Sequence, residues 1–232
     1  QWLCGCGVMV YDFDIFSPEK LLKVIEDFKV TSFCAPPTVY RYFIKKDMKK
    51  FDLSHLEHIT TAGEALNPEV FEQVHKQTGL QIMEGFGQTE SVLMLGNLVG
   101  STAKIGSLGK PTPLYNIMIA DNEGNRLPAN EVGEIVVIPS ENQHGIFMGY
   151  CGNEDLYANV WKYGIYHTGD TAYMDDDGYY WYVGRIDDLI KTRGYRVGPF
   201  EIENVLMEHP AVMECAVTGI PDKARGQAIK AT

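Results

Sequence analysis

The sequence predicts an α/β chain in three parts: a partial doubly wound, mainly parallel sheet, then a small β-barrel, then the start of a small α+β domain. Three observations lead there. The first third alternates short apolar strands with helices of 3.6-residue periodicity, the pattern of parallel sheets. From about Pro111 that periodicity weakens and strands recur between turn-rich stretches such as Asp121-Asn-Glu-Gly124. Beyond Arg185 a helix with an apolar face returns. These shifts set the expected boundaries at residues 1–112, 113–186 and 187–232.

Ser17 followed by Pro18 starts the first helix, because proline suits the first helical position, and Leu21, Leu22, Ile25 and Phe28 keep an apolar stripe. Thr31 to Ala35 reads as a buried strand stopped by Pro36-Pro37, with a helix from about Thr38 to Lys46. His58 to Thr61 is a strand running into the turn at Ala62-Gly63. Pro68 opens a helix that closes at Gly79. Tyr115 to Ala120, Gly133 to Ile138 and Tyr179 to Val183 are the strands of the second part. Pro199 starts a helix with Phe200, Ile202, Val205 and Leu206 on one face, and Val212 to Gly219 reads as a strand.

Composition narrows the function. The 232 residues are 45% hydrophobic and 22% charged, enough for a core, and the net charge of -11 lacks the basic footprint of a nucleic-acid surface. No apolar run reaches the roughly 20 residues of a membrane span. The five cysteines (Cys4, Cys6, Cys34, Cys151 and Cys215) are odd in number and lack zinc spacing, so they read as buried free thiols in a reducing compartment, the cytoplasm.

Chemistry concentrates in a few segments. Ala62-Gly63-Glu64-Ala65 follows a strand, where an open α/β sheet binds its ligands; a plain strand-helix connection is the alternative. In Glu84-Gly-Phe-Gly-Gln-Thr-Glu90, glycines permit close backbone approach and Phe86 offers a ring face. Thr89 can donate to a phosphate oxygen, and Glu90 is a hard oxygen ligand suited to Mg²⁺. Tyr166-His-Thr-Gly-Asp170 leads into Gly184-Arg-Ile-Asp-Asp-Leu-Ile-Lys-Thr-Arg-Gly-Tyr-Arg196, where Lys191, Arg193 and Arg196 form a local basic patch. A Gly-Asp turn between strands is the alternative for Asp170. Asp175-Asp-Asp-Gly178 departs from the calcium-loop pattern and reads as a tight turn, and Tyr179-Tyr-Trp-Tyr182 as barrel packing.

In order and wording these segments resemble the adenylate-forming enzymes: acyl-CoA synthetases, luciferases and peptide-synthetase adenylation domains. Tyr195-Arg-Val-Gly-Pro199 and Val205-Leu-Met-Glu-His-Pro210 are most similar to the medium-chain acyl-CoA synthetases. The resemblance implies an acid–thiol ligase that uses ATP, Mg²⁺ and CoA with a small carboxylic acid. It implies that Gly63, Glu64, Ala65, Glu84, Gly85, Phe86 and Gln88 surround AMP, that Thr89 meets the α-phosphate, and that Glu90 holds the metal. Asp170 would accept from the ribose hydroxyls with Arg185 beside it, and Arg196 would reach phosphate, Thr89, Glu90 and Arg196 being the catalytic set. Asp187 matches the hinge before a mobile C-terminal domain, with Gly194, Tyr195 and Arg225 on the CoA side. Gly87 stands where acetate-specific relatives carry tryptophan, which implies an acyl pocket open to longer acids.

The family's phosphate loop with its lysine would precede residue 1, and its C-terminal Gly-Lys motif would follow Thr232. The sequence is therefore expected to be a fragment, inactive in isolation. An adenylation domain that loads a carrier protein, and a nucleotide-binding module without chemistry, are the alternatives.

Overall fold

In the computed structural model, which describes residues 5–141, 144–209, 211–212 and 214–232, the first sheet is built on three parallel strands. These are β1 (Ser32–Cys34), β2 (His58–Thr61) and β3 (Ile82–Phe86). Helices α1 (Pro18–Asp27), α2 (Pro37–Ile44) and α3 (Pro68–Thr78) accompany them, each opened by proline. Ser17 Oγ caps α1 by accepting from Lys20 N–H at 3.3 Å, and Asn67 Oδ1 caps α3 by accepting from Glu69 N–H at 2.8 Å. Leu22, Ile25, Tyr40, Phe43, Ile59, Val70, Val74 and Ile82 form the core. Each aliphatic side chain buried there contributes about 1.5–3 kcal/mol. Phe28, expected on the α1 stripe, instead follows the helix end and is 68% exposed.

The sheet is parallel only over these three strands. Strands β4 (Leu95–Gly96) and β5 (Lys110–Pro111) complete it antiparallel, in the order β1-β2-β3-β4-β5. The chain between β3 and β4 is too short for the dozen or so residues that a parallel crossover needs.

The second part holds β6 (Asn116–Ala120), β7 (Gly133–Ile138), the short helix α4 (Glu154–Val160), β8 (Trp161–Lys162), β9 (Ile165–Met174) and β10 (Tyr180–Arg185). The order is β10-β9-β7-β6, all antiparallel, with β8 beside β9. Among the described residues this sheet stays open, so the expected closed barrel is corrected to an open sheet. Four main strands are too few to curl onto themselves, since even a small, partly open barrel uses about five. One face packs on the first sheet through Met94, Leu95, Ile117, Ile135, Val137 and Tyr180.

The third part contains more strand than the sequence indicated. Strands β11 (Ile190–Thr192), β12 (Tyr195–Val197), β13 (Val217–Asp222) and β14 (Gly226–Ala231) form an antiparallel sheet with α5 (Pro199–Met207). The strand expected at Val212–Gly219 begins at Val217. Helix α5 has no buried residue, and Val205, placed on its apolar face, is 65% exposed. Three of the thiols expected to be buried, Cys6, Cys34 and Cys151, are exposed, while Cys215 is half-buried. Cys4 and Pro210 lie outside the described residues.

Candidate functional site

The carboxyl ends of β2 and β3 meet the β9–β10 pair around a cavity of about 440 Å³. Gly63, Glu64 and Ala65 line it from the β2 turn; Gly85, Phe86, Gly87, Gln88 and Glu90 from β3 and its turn; Asp170 and Arg185 from the second sheet. Segments far apart in the sequence thus share one wall. Glu64 faces this space while its carboxylate is held by α2, accepting from Arg41 at 2.6 Å and from Thr38 Oγ1 at 3.0 Å.

Asp170 is the polar focus, although only 5% of it is exposed. Gln88 donates through Nε2 to its Oδ2 at 2.6 Å and to Thr168 O at 2.8 Å, while Tyr166 Oη donates to Gln88 Oε1 at 2.9 Å. Tyr182 Oη donates to Asp170 Oδ1 at 3.3 Å, and Arg185 lies 3.4 Å from Oδ2. Burial raises the Asp170 pKa, opposed by the Arg185 charge and by hydrogen bonds from Gln88 and Tyr182. At the rim, Glu90 Oε1 accepts from Tyr150 Oη at 2.9 Å.

Other predicted residues are placed elsewhere. Glu84 is turned away from the cavity: 4% exposed, its Oε1 accepts from Leu66 N–H at 2.9 Å. Burial pushes its pKa up to about 8, with the Leu66 hydrogen bond opposing. Its side chain is an internal tie between β3 and the segment leading to α3. Thr89 is exposed in the turn after β3 and lines neither this cavity nor its neighbour.

That neighbour, about 660 Å³, shares Glu64, Ala65, Tyr182 and Arg185 with the first, and is walled on the far side by Asp187, Phe200 and Asn204. Asp187 makes one loose contact, Oδ1 to Arg185 Nε at 3.4 Å. Arg196 is exposed on β12 opposite Lys191, so this arrangement does not bring it to Thr89 and Glu90. Gly194, Tyr195 and Arg225 do come together at one end of the third sheet, where Arg193 N–H donates to Arg225 O at 2.9 Å. Nothing lies within 4 Å of a Cβ built on Gly194; here its glycine answers to a φ of +84 in the β11–β12 turn. At Gly87 a Cβ would meet Val92 O at 2.7 Å, so the backbone itself excludes a side chain there.

Sequence reasoning missed Tyr182 and Leu108, which also line the first cavity. Tyr182 was read as packing, although its place just ahead of Gly184-Arg185 was the available signal. The Asp175 run is the turn expected, with Gly178 N–H on Asp175 O at 2.9 Å and Lys104 paired to Asp175 at 2.7 Å and Asp177 at 2.6 Å.

Comparison with known proteins places the chain among relatives. The AMP-binding enzyme family matches residues 2–151, and the AMP-binding enzyme C-terminal domain matches residues 201–232. Acyl-coenzyme A synthetase ACSM3, mitochondrial, of Mus musculus is 44% identical over 99% of this chain and 40% of its own length. Acyl-coenzyme A synthetase ACSM4, mitochondrial, of Homo sapiens is 44% identical over 100% of this chain and 40% of its own. The chain thus spans about 40% of these relatives. Among solved structures, the anthranilate CoA ligase AuaEII in complex with anthranoyl-AMP superposes with a TM-score of 0.84 at 36% identity, covering 92% of this chain and 41% of that one. ATP-bound MatB from Rhodopseudomonas palustris gives 0.83 at 26% identity, covering 93% and 42%. The mitochondrial relatives overturn the cytoplasmic expectation, which rested on cysteine usage alone; free thiols do not distinguish one reducing compartment from another. Matched over residues 2–151, the chain belongs to the AMP-binding enzyme family.

Proposed function

We propose that this chain is the nucleotide-holding part of a mitochondrial, AMP-forming acyl-CoA synthetase. The observation that carries the reading is Asp170, a buried carboxylate in the wall of the first cavity with Arg185, Gln88 and Tyr182 on its oxygens. A carboxylate there can accept both hydroxyls of a ribose, and a charge-assisted hydrogen bond is worth roughly 1.5–3 kcal/mol. The Gly63–Ala65 turn and the Phe86 ring would enclose the base.

The reaction in this reading begins with attack of the substrate carboxylate on the α-phosphorus of ATP, which forms acyl-AMP and releases pyrophosphate. The CoA thiol then attacks the mixed anhydride and AMP leaves. Thr89 would donate to the α-phosphate from its exposed turn. Glu90 is a single hard oxygen donor at the cavity rim, which suits Mg²⁺ that keeps water and phosphate as its other ligands. When bound, the ion offsets phosphate charge. Rotation about Asp187, whose side chain has a loose contact with Arg185, would carry Arg196 toward phosphate and Gly194, Tyr195 and Arg225 toward CoA.

Gly87 lines the first cavity and sends no side chain into it, which supports a pocket for acids larger than acetate. A chain of the relatives' length should then prefer butyrate to octanoate over acetate. The 232-residue chain should bind AMP and release no pyrophosphate from ATP and butyrate. Calorimetric titration with AMP tests the central assignment. Asp170→Ala should weaken binding by about 100-fold, roughly 2.7 kcal/mol. A folded Asp170→Ala variant with unchanged affinity would sink it.

A further inference from the structure

Where β7 and β9 pair, one residue faces three. Glu134 is in register with Thr171 and Val136 with His167, so Ile135 stands opposite the whole Thr168-Gly169-Asp170 segment. Such a bulge aims a side chain out of the sheet but removes its backbone from the ladder, and buried N–H groups then need other partners. Glu134 supplies the central one. Its Oε1 accepts from Gly169 N–H at 2.8 Å, and its Oε2 lies 2.7 Å from His167 Nδ1. A carboxylate only accepts, so His167 donates. Only 15% of the Glu134 side chain is exposed.

The rest of the bulge closes around this clamp. Thr168 Oγ1 donates to Ile135 O at 2.7 Å and accepts from Asp170 N–H at 3.1 Å. Gly169 has a φ of +74, and a Cβ there would meet the Arg185 guanidinium at 3.1 Å. The residue before Asp170 is thus gripped by Glu134 through its N–H and covered by Arg185. Glu134 itself lines no part of the cavity that Asp170 faces.

We infer that Glu134 is a positioning residue: by holding Gly169 N–H and His167 Nδ1 it sets the bulge that presents Asp170 to the ribose. This rests on the reading of Asp170 proposed above. A carboxylate suits this place because one group accepts from two donors, on residues two apart. Removing it frees the segment to slip back toward the sheet, and an ångström at such a site is enough to lose a contact.

The test is calorimetry with AMP and with 2′,3′-dideoxyAMP on the 232-residue chain, with thermal melting to confirm folding. Glu134→Ala should weaken AMP binding about tenfold, and Glu134→Gln, which retains an acceptor for Gly169, less than about threefold. Dideoxy-AMP, without ribose hydroxyls, should bind Glu134→Ala as it binds the parent. In the Asp170→Ala background, Glu134→Ala should add nothing, because it acts through Asp170. If Glu134→Ala fails to fold, Glu134→Asp, too short to hold both donors, should show the same loss and the same dependence on Asp170.

Parent-like AMP affinity in a folded Glu134→Ala, an additive loss in the double variant, or an equal loss for the dideoxy ligand would each overturn the inference while Asp170→Ala remains defective. Parent-like affinity in Asp170→Ala would overturn the reading of Asp170 and this inference together.

Discussion

Glu84 and Asp170 are two carboxylates in two chemistry-bearing segments, at 4% and 5% exposure, yet the structure uses them in opposite ways. Glu84 points inward to a single backbone donor, Leu66 N–H, with no cation among its pKa influences. Asp170 faces a cavity and is met by Arg185, Gln88 and Tyr182. Burial raises both, but only at Asp170 does a nearby positive charge oppose it. One acid ties the sheet together, and the other lines an open cavity. Motif membership did not separate them; their partners do.

The sharpest way to break this contrast is through pH. The folded-state pKa of Glu84 lies near 8 against an ordinary value of 4.5. Between those values the unfolded chain has released the proton and the folded chain has kept it. Stability therefore falls as pH rises from about 4.5 to about 8 and then levels, by on the order of 3–5 kcal/mol. Glu84→Gln keeps an acceptor for Leu66 N–H and cannot ionise. Urea unfolding at pH 5, 6.5 and 8 should show a steep decline in the parent and a much flatter profile in the variant. Asp170→Asn should remove a smaller part of the slope, since Arg185 already favours its charged form. Equal slopes in the parent and Glu84→Gln would assign the burden to another group.

Gly87 gives the next effect in size. Alanine there would place its Cβ against Val92 O, a backbone atom that cannot rotate away. The expected destabilisation is about 1–3 kcal/mol, read from a urea midpoint, with the turn that carries Gln88 and Glu90 displaced as well. Gly63→Ala is the control, because nothing lies within 4 Å of a Cβ there, although its φ of +93 still strains a side chain. A loss at Gly87 no larger than at Gly63 would show that the Val92 segment yields easily.

What the sequence revealed follows from how local each signal was. Strands β2 and β7 and the starts of α1, α3 and α5 were readable because proline, caps and apolar periodicity lie within a few residues of one another. The cavity's glycines and acids were readable because their types announce the chemistry. The inward turn of Glu84 was not, since its partner Leu66 lies on another element. Nor was the bulge at Asp170, which exists only once β7 and β9 are in register. Most of the third sheet, β13 apart, was missed because its strands join through the Arg193-Gly194 and Asp222–Gly226 turns, whose pairing shows only in three dimensions.

Tyr182 offers the finest adjustment of the comparison. Its ring lines both cavities, and its hydroxyl donates to Asp170 Oδ1 at 3.3 Å. That hydrogen bond orients the acid without neutralising it. Tyr182→Phe preserves the ring and the packing on Phe200, whose centroid lies 5.7 Å away, so it isolates the hydroxyl. AMP affinity should fall only about two- to fivefold, in keeping with about 1 kcal/mol for one hydrogen bond in a network that retains Gln88 and Arg185. Tyr182→Leu should lose more, because it also removes an aromatic wall. If phenylalanine and leucine are equally defective, the hydroxyl carries the whole role. If phenylalanine binds as the parent does, Asp170 is oriented by Gln88 and Arg185 alone, and Tyr182 contributes through its ring face.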